Sequence, residues 1–385
     1  MVEPVMRFRG PSETVLGNGI SKKVGDYVRG LGARRVLLVC DAGVASTGES
    51  DRAIARLEDA GIQVQGSAMV SGEPTFDLAE RWRSVVARSS CDAVVALGGG
   101  SAIDVAKAAA IGGEDQRSLL EQAGVDRVET ALPIITIPTT SGTGSEVTPN
   151  CILIDPVARE KIGIVSGRLI PRVALVDPEL TLTVPPPVTA NTGMDALTHA
   201  LEAYVSLNAS PITEVLSELA MHYVAANLRT AVRDGNDIGA RYGMSVASVT
   251  AGMAFANAGL GLVHAIAMAL GGKVGTAHGL ANAIVLPHVM EFNAEACPEK
   301  FACIHRIFCL DDDCSVTGLS AKKAPEDIRR LATDIGIPAT LREVGVTREQ
   351  VPSIAEAAIA IKRLVDTNPR KCTYEDIVGI LDGLV

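Results

Sequence analysis

Short aliphatic runs alternate with helical spacing through the first half of the chain. Arg35–Cys40 is a β-branched and aliphatic run ending at Asp41, and Cys91–Leu97 and Pro133–Ile137 have the same texture. Gly61–Val64 reads as a further strand. Between these runs, Asp51–Ala60 and Phe76–Arg88 space their apolar residues at the helical period. This alternation predicts βαβ units, hence an α/β fold with a mostly parallel sheet covered by helices on both faces.

The texture changes at Val184-Pro185-Pro186-Pro187-Val188. Three consecutive prolines do not fit inside a helix or a central strand. Beyond them strand signals nearly vanish and helical spacing takes over. The helical stretches are Gly193–Ser206, Ile212–Arg229, Ala240–Ala258, Gly261–Gly271, Leu280–Asn293, Ala324–Ile335, Arg348–Ala360 and Thr373–Leu384. The expected organisation is an α/β domain over residues 1–184 followed by an all-α domain over residues 185–385.

Composition sharpens this only in places. The 385 residues are 47% hydrophobic and 21% charged, ordinary for a packed chain of two or three domains. Aromatics are 3%, so the core must be aliphatic and alanine-rich. Lys+Arg 35 against Asp+Glu 45 gives −10, and the basic residues are scattered. Neither nucleic acid nor an anionic membrane surface is an expected partner. The eight cysteines include no C-x-x-C pair. Cys297, Cys303, Cys309 and Cys314 lie close together, but their gaps fit no zinc pattern and free thiols are the expectation. The segment MVEPVMRFRG lacks the apolar run of a signal peptide, and no spanning helix is expected, so a cytoplasmic location follows as the default.

Two loops carry candidate chemistry. Gly98-Gly99-Gly100-Ser101 follows a strand and opens a helix, with Ser101 and Asp104 at capping-box spacing. Glycines allow close backbone approach, and a helix N-terminus offers free N–H groups, so a pyrophosphate is the natural occupant. A tight turn with an ordinary cap is the alternative. Asp41, at a strand end, suits the hydroxyls of an adenosine ribose and would repel a 2′-phosphate, favouring NAD over NADP; otherwise it is a turn residue. The second loop, Pro138–Glu146, is rich in glycine and hydroxyls and includes Thr139 and Thr140.

In the helical half, Asp195 and His199 stand four residues apart and share a helix face. With His264 and His278 they form a set of one carboxylate and three imidazoles, which suits Fe(II), Zn(II), Mn(II), Co(II) or Ni(II).

GGGSAIDVAK (98–107), PTTSGTGSEVT (138–148), GMDALTHALEAYVS (193–206), LVHAIAMALGG (262–272) and HGLANAIVLPHVMEFN (278–293) together make the chain resemble the iron-containing (group III) alcohol dehydrogenases. The resemblance covers nearly the whole chain. It implies a dinucleotide-binding α/β domain, a helical metal-binding domain, and a homodimer. It assigns the metal, Fe(II) first, to Asp195, His199, His264 and His278, which are then also the catalytic centre. It places NAD against Asp41, Gly98, Gly99, Gly100, Ser101, Asp104, Thr139, Thr140, Lys161 and Leu180, and leaves His288 out of the ligand set. The implied activity is hydride transfer between a metal-bound alkoxide and nicotinamide, oxidising a small alcohol or reducing an aldehyde or ketone. A transhydrogenase holding NAD tightly, and a metal- and dinucleotide-binding protein with little turnover, are the competing readings.

Two positions depart from the family pattern. Met268 stands where a second histidine usually follows the His264 position by four residues. Its place on the helix points it into the substrate cleft, where it adds apolar surface but relays no proton. Glu73 stands where an asparagine usually precedes Pro74 and is expected to alter a cofactor contact.

Overall fold

The computed structural model describes residues 6–112, 117–158, 160–309 and 320–385. The chain divides between Thr183 and Val184 into two compact units, and the described residues ahead of Arg9 group with the second.

The first unit is built on β1 (Glu13–Leu16), α1 (Val24–Gly30), β2 (Arg35–Asp41), α2 (Ala42–Ala45), α3 (Glu49–Asp59), β3 (Gln63–Val70), α4 (Phe76–Arg88), β4 (Ala93–Gly98), α5 (Gly100–Ala109), β5 (Gly124–Val125), β6 (Ile134–Pro138), β7 (Asn150–Asp155), β8 (Glu160–Val165) and β9 (Val173–Val176). Six strands form a parallel sheet in the order β1-β9-β6-β4-β2-β3. Alternate residues of β2 feed two cores. Val36, Leu38 and Cys40 join one, and Leu37 and Val39 the other. That is why the strand reads as continuously apolar.

From β2 the chain runs outward to β3 and then returns to β4 on the other side of β2. The order reverses there, and the carboxyl ends of β2 and β4 bring Asp41 and Gly98 side by side. Such a switch point leaves a crevice at the strand ends, where open α/β sheets bind ligands.

A second sheet, in the order β5-β8-β7, contains the antiparallel β7–β8 pair. The sequence patterns did not reveal it, because these strands are only partly buried and mix polar with apolar residues.

The second unit contains α6 (Pro186–Val205), α7 (Pro211–Arg233), α8 (Ile238–Ala258), α9 (Leu262–Val274), α10 (His278–Asn293), α11 (Pro298–Phe308), α12 (Ala324–Asp334), α13 (Val351–Ala360), α14 (Lys362–Val365) and α15 (Tyr374–Asp382). The prolines behave differently from expectation. Pro185 is the N-cap of α6, while Pro186 and Pro187 form its first turn. Proline is at home there because a first-turn N–H has no intrahelical partner to lose. Residues 193–206 are buried on every side, so this helix runs through the middle of the core. Six described cysteines are free, but Cys309 is disulfide-bonded, against the expectation of free thiols. Cys314 lies outside the described residues. Among the described residues, no single helix is long and apolar enough to cross a membrane.

Candidate metal centre and glycine loops

Three helices bring four polar side chains to one point in the apolar core of the second unit. Asp195 and His199 lie one turn apart on α6, His264 lies in the first turn of α9, and His278 is the first residue of α10. The left-handed Gly275 ends α9 and turns the chain so that α10 starts at the site. Asp195 Oδ1 is 3.8 Å from His199 Nε2 and 3.7 Å from Nε2 of both His264 and His278. Ligands about 2.1 Å from a single tetrahedral ion stand about 3.4 Å from one another. The observed separations therefore need only a small contraction.

The electrostatics also favour a cation. Asp195 is 2% exposed. Taking a carboxylate out of water costs several kcal/mol unless it is compensated. Burial alone would raise its pKa, but His199, His264 and His278 outweigh it and hold the carboxyl well below the usual range. Asn282 lies among the same atoms. Its Nδ2 is 2.7 Å from Asp195 Oδ1 and 3.2 Å from Nε2 of His264 and of His278. Its Oδ1 is buried with no hydrogen-bond partner among the described residues. A set of lone pairs converging on one point, with an unsatisfied amide oxygen beside it, is better served by a cation than by further hydrogen bonds.

The ligands are held from behind. His264 Nδ1 is 2.6 Å from Glu202 Oε2, and Glu202 Oε1 accepts from the Val263 N–H at 2.6 Å. With the ring proton on Nδ1 facing Glu202, the Nε2 lone pair points at Asp195. Burial disfavours the imidazolium form of His264, but Glu202 and Asp195 more than offset this and lift its pKa to about 9. His199 stacks between Phe255 and His264, with ring centroids 4.3 and 4.7 Å away. The side chain of His278 is 30% exposed, so the centre opens on that side. Met268, one turn beyond His264, is the first residue of α9 that is not fully buried.

In the other unit the two predicted loops pack against each other. A Cβ on Gly98 would fall 2.8 Å from both Asp41 Cβ and Ala102 Cβ. One on Gly100 would meet Thr143 Cγ2 at 2.9 Å, and one on Gly99 would meet Thr140 Oγ1 at 3.4 Å. Thr139 N–H donates to Gly98 O at 3.1 Å. Glycine is thus required by close approach. The α5 N-terminus, with Gly99 as N-cap, receives no side-chain cap and keeps its first N–H groups for a ligand.

Two expectations change here. Helix α5 starts at Gly100, so Ser101 lies inside its first turn and forms no capping box. Asp104 turns away from the helix start, its carboxylate accepting from the Ile152 N–H at 3.0 Å and from Ser145 Oγ at 3.4 Å. Burial raises its pKa to about 6 despite the nearby Lys107. In this geometry it braces the second loop and the start of β7. Lys107 does the same work, donating to the carbonyls of Thr148 and Asn150 at 2.8 and 2.7 Å from a fully buried position. Asp41 caps α2, accepting from the Gly43 N–H at 2.8 Å. Lys161 is ion-paired with Glu73 at 2.9 Å, and Leu180 packs on the core that β2 lines.

Sequence reasoning missed Glu202, Asn282 and Lys107. A signal existed for the first two. Glu202 is an acid three residues after His199 in an otherwise apolar helix, and Asn282 follows His278 by one turn.

Comparison with known proteins agrees with this geometry. The family described as iron-containing alcohol dehydrogenase matches residues 11–178, and its C-terminal family matches residues 189–385. The chain is 41% identical over 384 residues to a 1,3-propanediol dehydrogenase of Klebsiella pneumoniae, covering 98% of this chain and 96% of that protein. It is 36% identical over 372 residues to an NAD-dependent methanol dehydrogenase of Bacillus methanolicus, covering 96% and 97%. A crystal structure of a 1,3-propanediol oxidoreductase superposes with a TM-score of 0.94 at 38% identity, covering 99% of this chain and 100% of that one.

Proposed function

Because this chain belongs to the iron-containing alcohol dehydrogenase family, we propose that its NAD-linked alcohol and aldehyde chemistry runs at Asp195, His199, His264 and His278, with Fe(II) as the resident ion. The observation that carries this reading is the convergence of one carboxylate oxygen and three imidazole Nε2 atoms in a core otherwise lined by apolar side chains. When bound, the ion supplies Lewis acidity that favours an ionised alcohol or polarises a carbonyl, and NAD supplies the hydride acceptor.

The protein's own residues provide the rest. Asp195 contributes the negative charge, and the buried histidines would contribute neutral donors once a bound cation displaces the Nε2 proton of His264, their orientation fixed by Glu202 and Phe255. Water is excluded on the sides of His199 and His264, which are at most 5% exposed. Substrate enters from the side where His278 and Met268 are open. A thioether at Met268 neither takes nor gives a proton, so the alcohol proton leaves through water or a cofactor hydroxyl.

NAD is the preferred dinucleotide in this reading. The uncapped α5 N-terminus between the two packed loops would hold its pyrophosphate, and Asp41 would accept from its adenosine ribose hydroxyls and oppose a 2′-phosphate. Lys161 and Leu180 lie along the dinucleotide, and Glu73 tempers the charge of Lys161. The test is whether bound metal and NADH formation from short alcohols are lost together in His264→Ala.

A further inference from the structure

Beside Met268, one turn along α9 from His264, stands a cation with no ion-pair partner among the described residues. Among the described residues, the only hydrogen-bond partner of the Arg363 guanidinium is Met268 Sδ, 3.8 Å from Nη2. A thioether is a weak acceptor and leaves the other guanidinium donors unused. The side chain is open to solvent, yet desolvation by its surroundings pushes the guanidinium below its ordinary pKa.

The segment that carries Arg363 is fixed to the elements behind the metal ligands. Thr367 Oγ1 donates to Leu260 O, and Thr367 O accepts from the Leu207 N–H at 2.9 Å. Asn368 and Asn293 exchange side-chain amide hydrogen bonds at 2.8 and 2.9 Å. Asn368 also closes on Gly261, where an added Cβ would meet both Asn368 Oδ1 and Glu202 Oε1. The chain that follows Arg363 is therefore anchored behind His264. Met268 follows His264 by one turn on the same face, about 6 Å along the helix axis.

We infer that Arg363 is a specificity-determining residue that binds the carboxylate or sulfonate at the far end of a short alcohol or aldehyde whose reacting carbon lies at the metal centre. The planar fork of a guanidinium matches a carboxylate with two parallel hydrogen bonds. The distance suits a chain of about two to four atoms between anion and reacting carbon. Met268 lines the apolar stretch between them, where a histidine would compete for the anion. This inference rests on the proposed alcohol–aldehyde chemistry and names its substrate class.

The experiment compares succinic semialdehyde with butanal, with NADH as reductant, in wild type, Arg363→Met and Arg363→Lys. The expected wild-type ratio of kcat/KM favours the anionic aldehyde. It falls about thirtyfold in Arg363→Met, the size of a charge-assisted hydrogen bond, and recovers in part in Arg363→Lys. Butanoate is titrated calorimetrically into the same three proteins, and its binding should weaken in parallel. A wild-type ratio at or below one, a ratio within threefold of wild type in Arg363→Met, or equal butanoate binding by wild type and Arg363→Met would overturn the inference. Turnover of neither aldehyde by wild type would instead overturn the dehydrogenase reading on which it rests.

Discussion

Glu202 shows how one side chain sets the behaviour of another. Its two oxygens are committed to the His264 ring and the Val263 N–H, so it orients the imidazole without entering the ligand set. Glu202→Gln keeps the shape but removes the charge and can present N–H to the ring nitrogen. Metal affinity should fall about 10- to 100-fold, the usual cost of losing such an outer partner, when measured by competition with a chromophoric chelator. An unchanged affinity would mean that ring packing alone orients His264. Glu73 has the opposite character. It is half exposed and its pair with Lys161 is worth at most about 1 kcal/mol. Glu73→Asn releases Lys161 toward the dinucleotide, and NADH should bind up to about fivefold more tightly in a fluorescence titration. Weaker binding would show that Glu73 itself holds the cofactor. The four candidate ligand positions could be picked out because histidine is scarce here and four of the six fall in the helical blocks 193–206, 262–272 and 278–293, with only His288 set aside by the resemblance. Glu202 and Asn282 were not, since an acid or amide in a helix declares its partner only when the facing helix is in place.

The glycine turn belongs to the scale of elements. Strand β4 can end beside Asp41 only if residue 98 has no Cβ, because one would overlap both Asp41 and Ala102. Gly98→Ala should cost about 1–3 kcal/mol through overpacking, read as a lower midpoint of denaturant unfolding, and should weaken NADH binding along with it. An unaltered midpoint would mean that β4 and α5 separate freely. Reading the sequence located this turn but misjudged its cap by two residues. Ser101 and Asp104 have the right spacing, yet Asp104 finds the Ile152 N–H, a partner on a strand the patterns did not reveal. The proline run misled in a similar way. Prolines end an element when they interrupt it, but Pro186 and Pro187 start α6 and set the direction from which Asp195 and His199 reach the centre.

On the scale of the whole molecule, each unit solves one binding problem with its own physics. The parallel sheet reverses its order between β2 and β4, and the α5 N-terminus there has no side-chain cap, so in the proposed reading a chain of charge −10 meets a phosphate without a basic surface. The helical unit buries α6 from residue 193 onward and brings its Asp195, His199 and Glu202 side chains against His264. The alternation of strands and helices, the change at residue 184 and the aliphatic core were readable from periodicity, since each depends on local pattern. The β7–β8 hairpin, the bracing by Lys107 and the contact of Arg363 with Met268 depend on distant segments, and no local pattern encodes them. The central claim is that Asp195, His199, His264 and His278 hold one catalytic divalent ion. The most direct measurement is the divalent metal content per chain, by elemental analysis, of wild type and His264→Ala purified alike and assayed for NADH formation. The expected result is close to one ion per chain in wild type and close to none in His264→Ala, with activity lost in step. Full activity in His264→Ala with no metal detected would contradict it.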